Sequence, residues 1–190
     1  MSKVQNSAGQ KQAAFAAQGE QTFSSLQEMV ITAVFIALTF VVTTYINVKI
    51  PFIPANGGLV HLGNVPVFVA AAIFGKRSGA LTGAIGLGLF DLLNGWVSWA
   101  PFTFVICGVI GLVYGWISEK KKTFAFQILA VLAAIVIKVA GYYVAEGLIY
   151  GNWIAPAASI LGNVVQITAA GVIAVPIIMA IRKALPSLAR

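Results

Sequence analysis

TFAFQILAVLAAIVIKVAGYYVAEGLI, residues 123–149, is an apolar stretch that carries two ionisable side chains, Lys138 and Glu146. A helix needs about 20 apolar residues to cross the hydrocarbon core of a bilayer, so this stretch is long enough. A charge inside such a helix is costly unless it faces a polar cavity or a partner, and it marks a substrate or ion site by default. The stretch therefore predicts an integral membrane protein with a polar pocket.

The composition of the whole chain agrees with this prediction. Of its 190 residues, 59% are hydrophobic and 9% are charged, whereas roughly 25% are charged in soluble proteins. The apolar runs are residues 29–45, 62–74, 78–93, 101–117, 124–147 and 156–181, and the second is short for a full span. We expect an all-α, polytopic domain of six transmembrane helices over residues 29–185. Residues 1–28 should form a flexible cytoplasmic tail that could be helical near its end.

The basic residues indicate how the chain is oriented in the membrane. With the N-terminus in the cytoplasm, Lys49 alone lies outside, and ten basic residues lie inside: Lys3, Lys11, Lys76, Arg77, Lys120, Lys121, Lys122, Arg182, Lys183 and Arg190. This is the usual cytoplasmic excess of Lys and Arg, so both termini are predicted to be cytoplasmic. The net charge of +7 agrees with this cytoplasmic excess of basic residues, which are attracted to the anionic lipids of the bilayer. No nucleic-acid partner is expected.

Two outer connections carry further candidate binding residues. The first, residues 47–61, contains two Pro and a Gly pair, which favour an ordered, non-helical loop that could act as a lid. His61 would lie near the entrance of the pocket. The second, residues 94–100, contains Trp96 and Trp99. Tryptophans at this level are interfacial anchors or stack on a planar ligand.

On the fifth helix, three polar side chains form one stripe. Lys138, Tyr142 and Glu146 are spaced i, i+4, i+8, which places them within an arc of about 80°. Lys138 is about 15 Å below the outer end of its helix, in the outer half of the membrane core. The ammonium group could there bind a carbonyl, hydroxyl or carboxylate of a ligand.

Two more helices should bring polar groups to the same depth. Ser159, Asn163 and Gln166 share one face of the sixth helix by the i, i+3, i+4 rule. Asp91, followed by Asn94, lies near the outer end of the third helix. The sequence therefore predicts a binding pocket in the outer half of the bundle.

Structural interpretations of the same residues stay open. Lys138 could form an ion pair with Glu146 or with Asp91. Asn163 and Gln166 could be hydrogen-bonding contacts between helices, worth about 0.6 to 2 kcal/mol each. The occurrence of several polar groups at one depth favours the pocket.

Small residues mark helix contacts on the inner half. Ala33 and Ala37 form an Ala-x-x-x-Ala step on the first helix, and Gly79 and Gly83 form a Gly-x-x-x-Gly step on the third. Such steps let helix backbones approach closely, either within the chain or against a partner helix.

Motifs of catalysis and of metal binding are absent. The sequence has no phosphate-binding loop, no His-Glu-x-x-His and no Gly-x-Ser-x-Gly. Its single Cys, Cys107, and single His offer no metal site. We therefore expect no enzyme activity, no catalytic residue, and no metal or cofactor in this chain.

Several segments together resemble the substrate-binding (S) component of an energy-coupling factor (ECF) vitamin transporter. They lie in order along the chain: Ala33-Val-Phe-Ile-Ala37, Gly58-Leu-Val-His-Leu-Gly63-Asn64, Leu-Phe-Asp91-Leu-Leu-Asn94-Gly95, Gly141-Tyr142-Tyr143-Val-Ala-Glu146 and Leu161-Gly162-Asn163-Val-Val-Gln166. The resemblance covers about residues 25–183. It is to the riboflavin-type branch, which also includes proteins assigned to hydroxymethylpyrimidine and pyridoxine.

The resemblance implies a multi-pass subunit of the bacterial cell membrane that captures a vitamin at the outer face. Its partners would be a membrane coupling protein (T component) and two cytoplasmic ATPases, which use ATP. The coupling protein would dock on Ala33 and Ala37. Hydroxymethylpyrimidine or pyridoxine is our first expectation for the substrate, followed by riboflavin. The alternative is a free-standing proton-coupled carrier or channel in which Asp91, Glu146 and Lys138 relay protons.

Overall fold

The computed structural model describes residues 25–49 and 59–185, and these form a helical bundle with a short β-hairpin. In chain order the elements are α1 (Ser25–Tyr45), β1 (Asn47–Lys49), β2 (Leu59–His61), α2 (Asn64–Phe74), α3 (Lys76–Leu93), α4 (Ala100–Lys120), α5 (Phe124–Tyr150) and α6 (Ala157–Ala184). The helices of the described residues match the six predicted apolar runs. Residues 25–28, predicted to be tail, belong to α1, and the rest of the tail lies outside the described residues.

The helices differ in whether they can cross a membrane. Four are long and apolar enough: α1 from Leu26, α4, α5 and α6. α2 has 11 residues, or about 16 Å, half of the hydrocarbon core. It lies inside the bundle, where Val67, Phe68 and Ala70 are fully buried. A helix that is apolar all round is expected in such a position.

Glycines let α3 and α4 pack closely. A Cβ added at Gly83 would collide with the carbonyl oxygen of Cys107, and one at Gly111 with the carbonyl oxygen of Gly79. The Gly-x-x-x-Gly step of α3 is therefore an internal helix contact. This close approach brings the end of α3, with Asp91, beside the start of α4, with Thr103.

α1 lies at the edge of the bundle and packs mainly against α3. The hydroxyl of Thr32 donates to Ser78 Oγ at 3.0 Å and joins the two helices. Ala33 and Ala37 are exposed on the outer surface of α1. In a membrane this surface faces lipid or a partner.

The β-hairpin covers one end of the bundle, which we call the hairpin end. β1 and β2 are antiparallel, with Asn47 opposite His61 and Lys49 opposite Leu59. The predicted non-helical loop thus has paired strands at its two ends, while residues 50–58 lie outside the described residues. The opposite end, which we call the terminal end, carries the start of α1 and the end of α6.

Candidate functional site

A polar cavity lies beneath β2, between α3, α4, α5 and α6. Its lining consists of Leu59, His61, Leu87, Phe90, Asp91, Thr103, Lys138, Tyr142, Asn163 and Gln166. The volume open to the centre of a water molecule is about 10 Å³, which is room for about one water. Small-molecule pockets typically have about 300–1,000 Å³, so the lining must move apart to admit a ligand.

The structure brings six of the ten predicted ligand-binding residues to this cavity. They come from four separate parts of the chain and are His61, Asp91, Lys138, Tyr142, Asn163 and Gln166. In the bundle, β2 and the helices α3, α5 and α6 supply them.

Gln166 on α6 connects the hairpin to the helices. With its Oε1 turned toward Lys138, this oxygen accepts from Lys138 Nζ at 3.3 Å, from Asn64 Nδ2 at 3.0 Å and from His61 Nε2 at 2.9 Å. In the same orientation its Nε2 donates to the carbonyl oxygen of Leu59 at 3.2 Å. This orientation satisfies both ends of the amide. Gln166 thus fixes β2 against the floor of the cavity.

His61 is held as a neutral imidazole. Its Nδ1 accepts from the Gly63 N–H at 3.2 Å, so the ring proton is on Nε2, which faces Gln166 Oε1. Burial, and then the charge of Lys138, lower the pKa of His61 well below its usual 6.5. Burial disfavours the charged form, and a neighbouring cation disfavours it further.

Asp91 is oriented by α4 and α5. Thr103 Oγ1 donates to Asp91 Oδ2. Because a hydroxyl has one proton, the 2.8 Å contact between Thr103 Oγ1 and Tyr142 Oη is a bond donated by Tyr142. The carboxylate is thereby fixed at the cavity by a chain of hydroxyl groups from two other helices.

Lys138 carries the positive charge of the cavity. Its side chain is 2% exposed, and its Nζ lies 4.7 Å from the centre of the Tyr142 ring, a cation–π contact. Lys138 interacts electrostatically with Asp91, yet in the part of the chain that the structure describes the two do not form a contact ion pair. Both side chains line the cavity.

Asn163 on α6 completes the polar lining. Its side chain is 5% exposed, and within residues 25–49 and 59–185 no hydrogen bond to its amide is seen. An amide has a donor and an acceptor on one planar group. It is therefore positioned to bind both kinds of group on a ligand.

The other four predicted ligand contacts lie outside the cavity. Glu146 is fully buried, but it is eight residues from Lys138, or about 12 Å along α5. Asn94 is exposed, and its Nδ2 donates to the carbonyl oxygen of Phe90 at the end of α3. Trp96 packs edge-on against Trp99 with 5.4 Å between ring centres.

These tryptophans belong to an aromatic cluster at the hairpin end. Trp99 also packs against Tyr150, with 6.1 Å between ring centres, and Lys49 Nζ lies 5.9 Å from the Trp96 ring centre. The arrangement matches the anchoring interpretation of these tryptophans better than direct stacking on a ligand in the cavity.

Sequence reasoning did not single out several residues of the site. Thr103 and Asn64 supply hydrogen bonds to Asp91 and Gln166, and Leu59, Leu87 and Phe90 form apolar walls. A neutral residue in an apolar helix does not by itself indicate a binding site. For Asn64, the one indication in the sequence is its position in the segment that leads into α2.

A metal centre has no support in the described part of the chain, where no three His, Cys, Asp or Glu side chains gather to hold an ion. Cys107 is buried, and its Sγ lies 3.8 Å from Tyr142 Oη, next to the chain of hydroxyl groups. The site can thus bind a ligand through hydrogen bonds and charges.

Known proteins are similar to this chain over most of its length. The family model for the S component of ECF-type riboflavin transporters matches residues 23–183. An uncharacterized protein from Pyrococcus woesei is 33% identical over 111 residues, which cover 58% of this chain and 74% of the relative. The thiamine precursor transporter HmpT from Lactococcus lactis subsp. cremoris is 29% identical over 150 residues, which cover 79% and 84%.

Two solved structures have a similar fold. The S component of a bacterial ECF transporter superposes with a TM-score of 0.64 at 18% identity, covering 85% of this chain and 99% of the other. ThiT from Listeria monocytogenes superposes with a TM-score of 0.64 at 22% identity, covering 86% and 97%. At these identities the likeness concerns the fold.

Proposed function

This chain belongs to the family of ECF-type riboflavin transporter S components, and we propose that it captures a small single-ring vitamin or vitamin precursor in the cavity around Lys138. It is a multi-pass protein of the cell membrane, and its family is one of transporter subunits, not of enzymes. The substrate we favour is hydroxymethylpyrimidine, then pyridoxine, then riboflavin.

The observation that carries this proposal is the set of groups that face one cavity. Lys138 offers a charged donor, Asp91 a charged acceptor, and Asn163 an amide with no other partner among the described residues. Buried polar groups of this kind need hydrogen-bonding partners. A ligand that supplies both donors and acceptors on a small frame would satisfy all three.

Hydroxymethylpyrimidine has this combination of groups. Its exocyclic amino group stands beside a ring nitrogen, so one edge presents a donor next to an acceptor. A side-chain amide binds such an edge with two hydrogen bonds, as Asn does with adenine. We assign this edge to Asn163, the hydroxymethyl oxygen to Lys138 and a ligand donor to Asp91, with the Phe90 ring as an apolar wall.

The size of the cavity and the similarity to a known transporter support the same order of substrates. The small cavity favours one ring over the three fused rings of riboflavin, since less expansion is required. HmpT, which is described as a thiamine precursor transporter, is among the relatives. Pyridoxine has one ring hydroxyl and two hydroxymethyl groups but no amino group, so it would use Asp91 and Lys138 and would lack the paired donor and acceptor edge for Asn163.

Transport would require partner subunits. The exposed Ala33 and Ala37 on α1 form a small-residue surface on which a helix of a membrane coupling protein can pack closely. We propose that this surface docks the T component, that two ATPases supply energy from ATP, and that this chain itself holds no cofactor. With the basic residues inside, both termini would be cytoplasmic and the hairpin end would face outward.

A proton-coupled carrier is the second candidate. The chain of hydroxyl groups through Asp91, Thr103 and Tyr142 is the observation that favours it, because such chains can conduct protons. Glu146 lies outside the cavity, which weakens the proposed relay. This candidate predicts uptake by the protein alone when a pH gradient is applied.

Calorimetric titration of the purified protein tests the capture proposal. Hydroxymethylpyrimidine, pyridoxine, riboflavin and thiamine are each titrated without nucleotide or partner, and the Asn163→Ala variant is titrated in parallel. We expect one compound to bind tightly and saturably to the unchanged protein. In the variant its affinity should fall by about tenfold, which corresponds to the loss of a good bidentate contact. Binding unaffected by the substitution would contradict the assignment of the site.

A further inference from the structure

A second cavity lies at the terminal end, as an open groove between α1 and α3. Its volume is about 650 Å³. Along its length it is lined by Ile31, Ala33 and Ile36 from α1 and by Leu81 and Ile85 from α3. The groove is on the opposite end of the bundle from the polar cavity and has no part in the proposed capture of the substrate.

The charged residues of this groove lie at one of its ends. Glu28, Lys76, Arg77 and Glu119 line that end, and apolar or small side chains line most of the remainder. From Lys76 to Ile85 is nine residues of helix, or about 14 Å. This is close to half of a hydrocarbon core of about 30 Å, which is the depth of one leaflet.

Arg77 is the cation available at the charged end. Lys76 is engaged with Glu119, since Lys76 Nζ lies 3.2 Å from Glu119 Oε2 and the Lys76 backbone N–H donates to Glu119 Oε1 at 3.0 Å. Arg77 is exposed and, within the described ranges, forms no ion pair. A guanidinium group binds phosphate oxygens with paired hydrogen bonds.

We propose that this groove binds one phospholipid from the leaflet at the terminal end. The phosphate lies against Arg77, at the start of α3, where the helix dipole also favours an anion. One acyl chain lies along the apolar groove between α1 and α3. The groove fits a phospholipid in three properties: it has charge at one end, an apolar lining beyond that end, and the length of one leaflet.

The lipid and a partner helix would compete for this place. Ala33 lies both in the wall of the groove and on the small-residue surface proposed to dock the coupling protein. A protein helix docked there would displace the lipid, and release of the lipid would accompany assembly. The lipid site itself does not depend on which vitamin the protein captures or on whether it captures one.

Native mass spectrometry of the detergent-purified protein tests the proposal. The probe is dioleoyl phosphatidylethanolamine, added in controlled amounts, and the measurement is the fraction of protein that retains one lipid. Arg77→Ala should reduce the apparent affinity for the lipid by about tenfold, because one charge-assisted hydrogen bond is lost. Leu81→Trp should fill the groove and reduce lipid retention similarly.

Matched variants control for general effects. Lys183→Ala removes an exposed basic residue at the same end of the bundle, and Leu129→Trp adds the same bulk at a residue that is 49% exposed, as Leu81 is. Both should retain lipid as the unchanged protein does, and thermal unfolding verifies that all variants are folded. Equal retention in Leu81→Trp and Leu129→Trp would overturn the proposal. So would displacement of the lipid by glycerophosphoethanolamine alone, which would indicate a phosphate site without a chain site.

Discussion

Asp91 and Glu146 are two buried carboxylates in the half of the bundle at the hairpin end, and they differ in their position relative to the cavity. Asp91 lines the cavity, whereas Glu146 lies about 12 Å along α5 from Lys138. Asp91→Asn and Glu146→Gln each replace a carboxylate by an amide of nearly the same shape. We predict that the first change weakens vitamin binding and that the second leaves it nearly unchanged.

The size of the effect follows from the contact that is lost. A hydrogen bond to a charged group contributes about 1.5–3 kcal/mol, and one between neutral groups about 0.5–1.5 kcal/mol. Asp91→Asn should therefore cost about 1–1.5 kcal/mol of binding free energy, or about tenfold in Kd. Glu146→Gln removes no contact with a ligand in the cavity. For an uncharged vitamin we expect a change below about threefold.

Calorimetric titration of both variants with hydroxymethylpyrimidine, or with whichever vitamin binds the unchanged protein, measures this difference. Thermal unfolding of each variant without ligand serves as the control for folding. If Glu146→Gln weakens binding as much as Asp91→Asn does, the ligand extends toward Glu146, and our placement of the site at the cavity is wrong.

Other changes test separate parts of the account. Lys138→Met should weaken binding by about 10- to 100-fold, because one charged hydrogen bond is lost; unchanged titration curves would contradict this. Ala33→Leu should leave binding intact but block vitamin uptake by cells that express the coupling module, and normal uptake would exclude the docking surface. Gly111→Ala should lower the unfolding temperature by about 5 °C through overpacking. At Gly108 an added Cβ would lie 3.3 Å from Ala84 Cβ, a much milder contact, so Gly108→Ala should lower the unfolding temperature by less than Gly111→Ala does. The contribution of His61 to the free energy of unfolding should fall as pH drops below about 6.5, by up to about 1.4 kcal/mol per pH unit, because the unfolded chain then binds a proton that folded His61 does not. His61→Gln should remove this contribution, which the difference between the pH profiles of the two proteins measures.

The helices could be predicted because their signal is strong. Long apolar runs separated by basic or Pro- and Gly-rich segments leave few alternatives to apolar helices, and the observed bounds differ from the predicted ones by a few residues. Of the described helices, four are long and apolar enough to span a membrane, whereas six spanning helices are expected from the sequence. The 11-residue α2 is short for a span, as the length of the second apolar run indicates. Its burial inside the bundle depends on packing against α3, α4 and α6, which no local pattern encodes.

The candidate site could be predicted in part. Helical periodicity shows which side chains share a face, so Lys138, Tyr142 and Glu146 were correctly placed on one stripe of α5. Periodicity does not show how far along that stripe the cavity extends. The prediction therefore includes Glu146, whereas the residues of α5 that line the observed cavity are Lys138 and Tyr142.

Residues that act through distant partners were beyond sequence reasoning. Thr103 matters because close packing of α3 and α4 brings its hydroxyl to Asp91. Asn64 matters because it reaches Gln166 on α6. In each case the polar group is neutral, so its presence in an apolar helix does not indicate a site by itself.

The central claim is that this chain alone binds a vitamin, and equilibrium titration tests it most directly. The purified protein, without nucleotide or partner subunits, is titrated calorimetrically with hydroxymethylpyrimidine and the other vitamins of the panel. We predict saturable binding of one of them at a single site per chain. Absence of binding to every compound, together with uptake into protein-containing liposomes under a pH gradient, would contradict the account and favour a proton-coupled carrier.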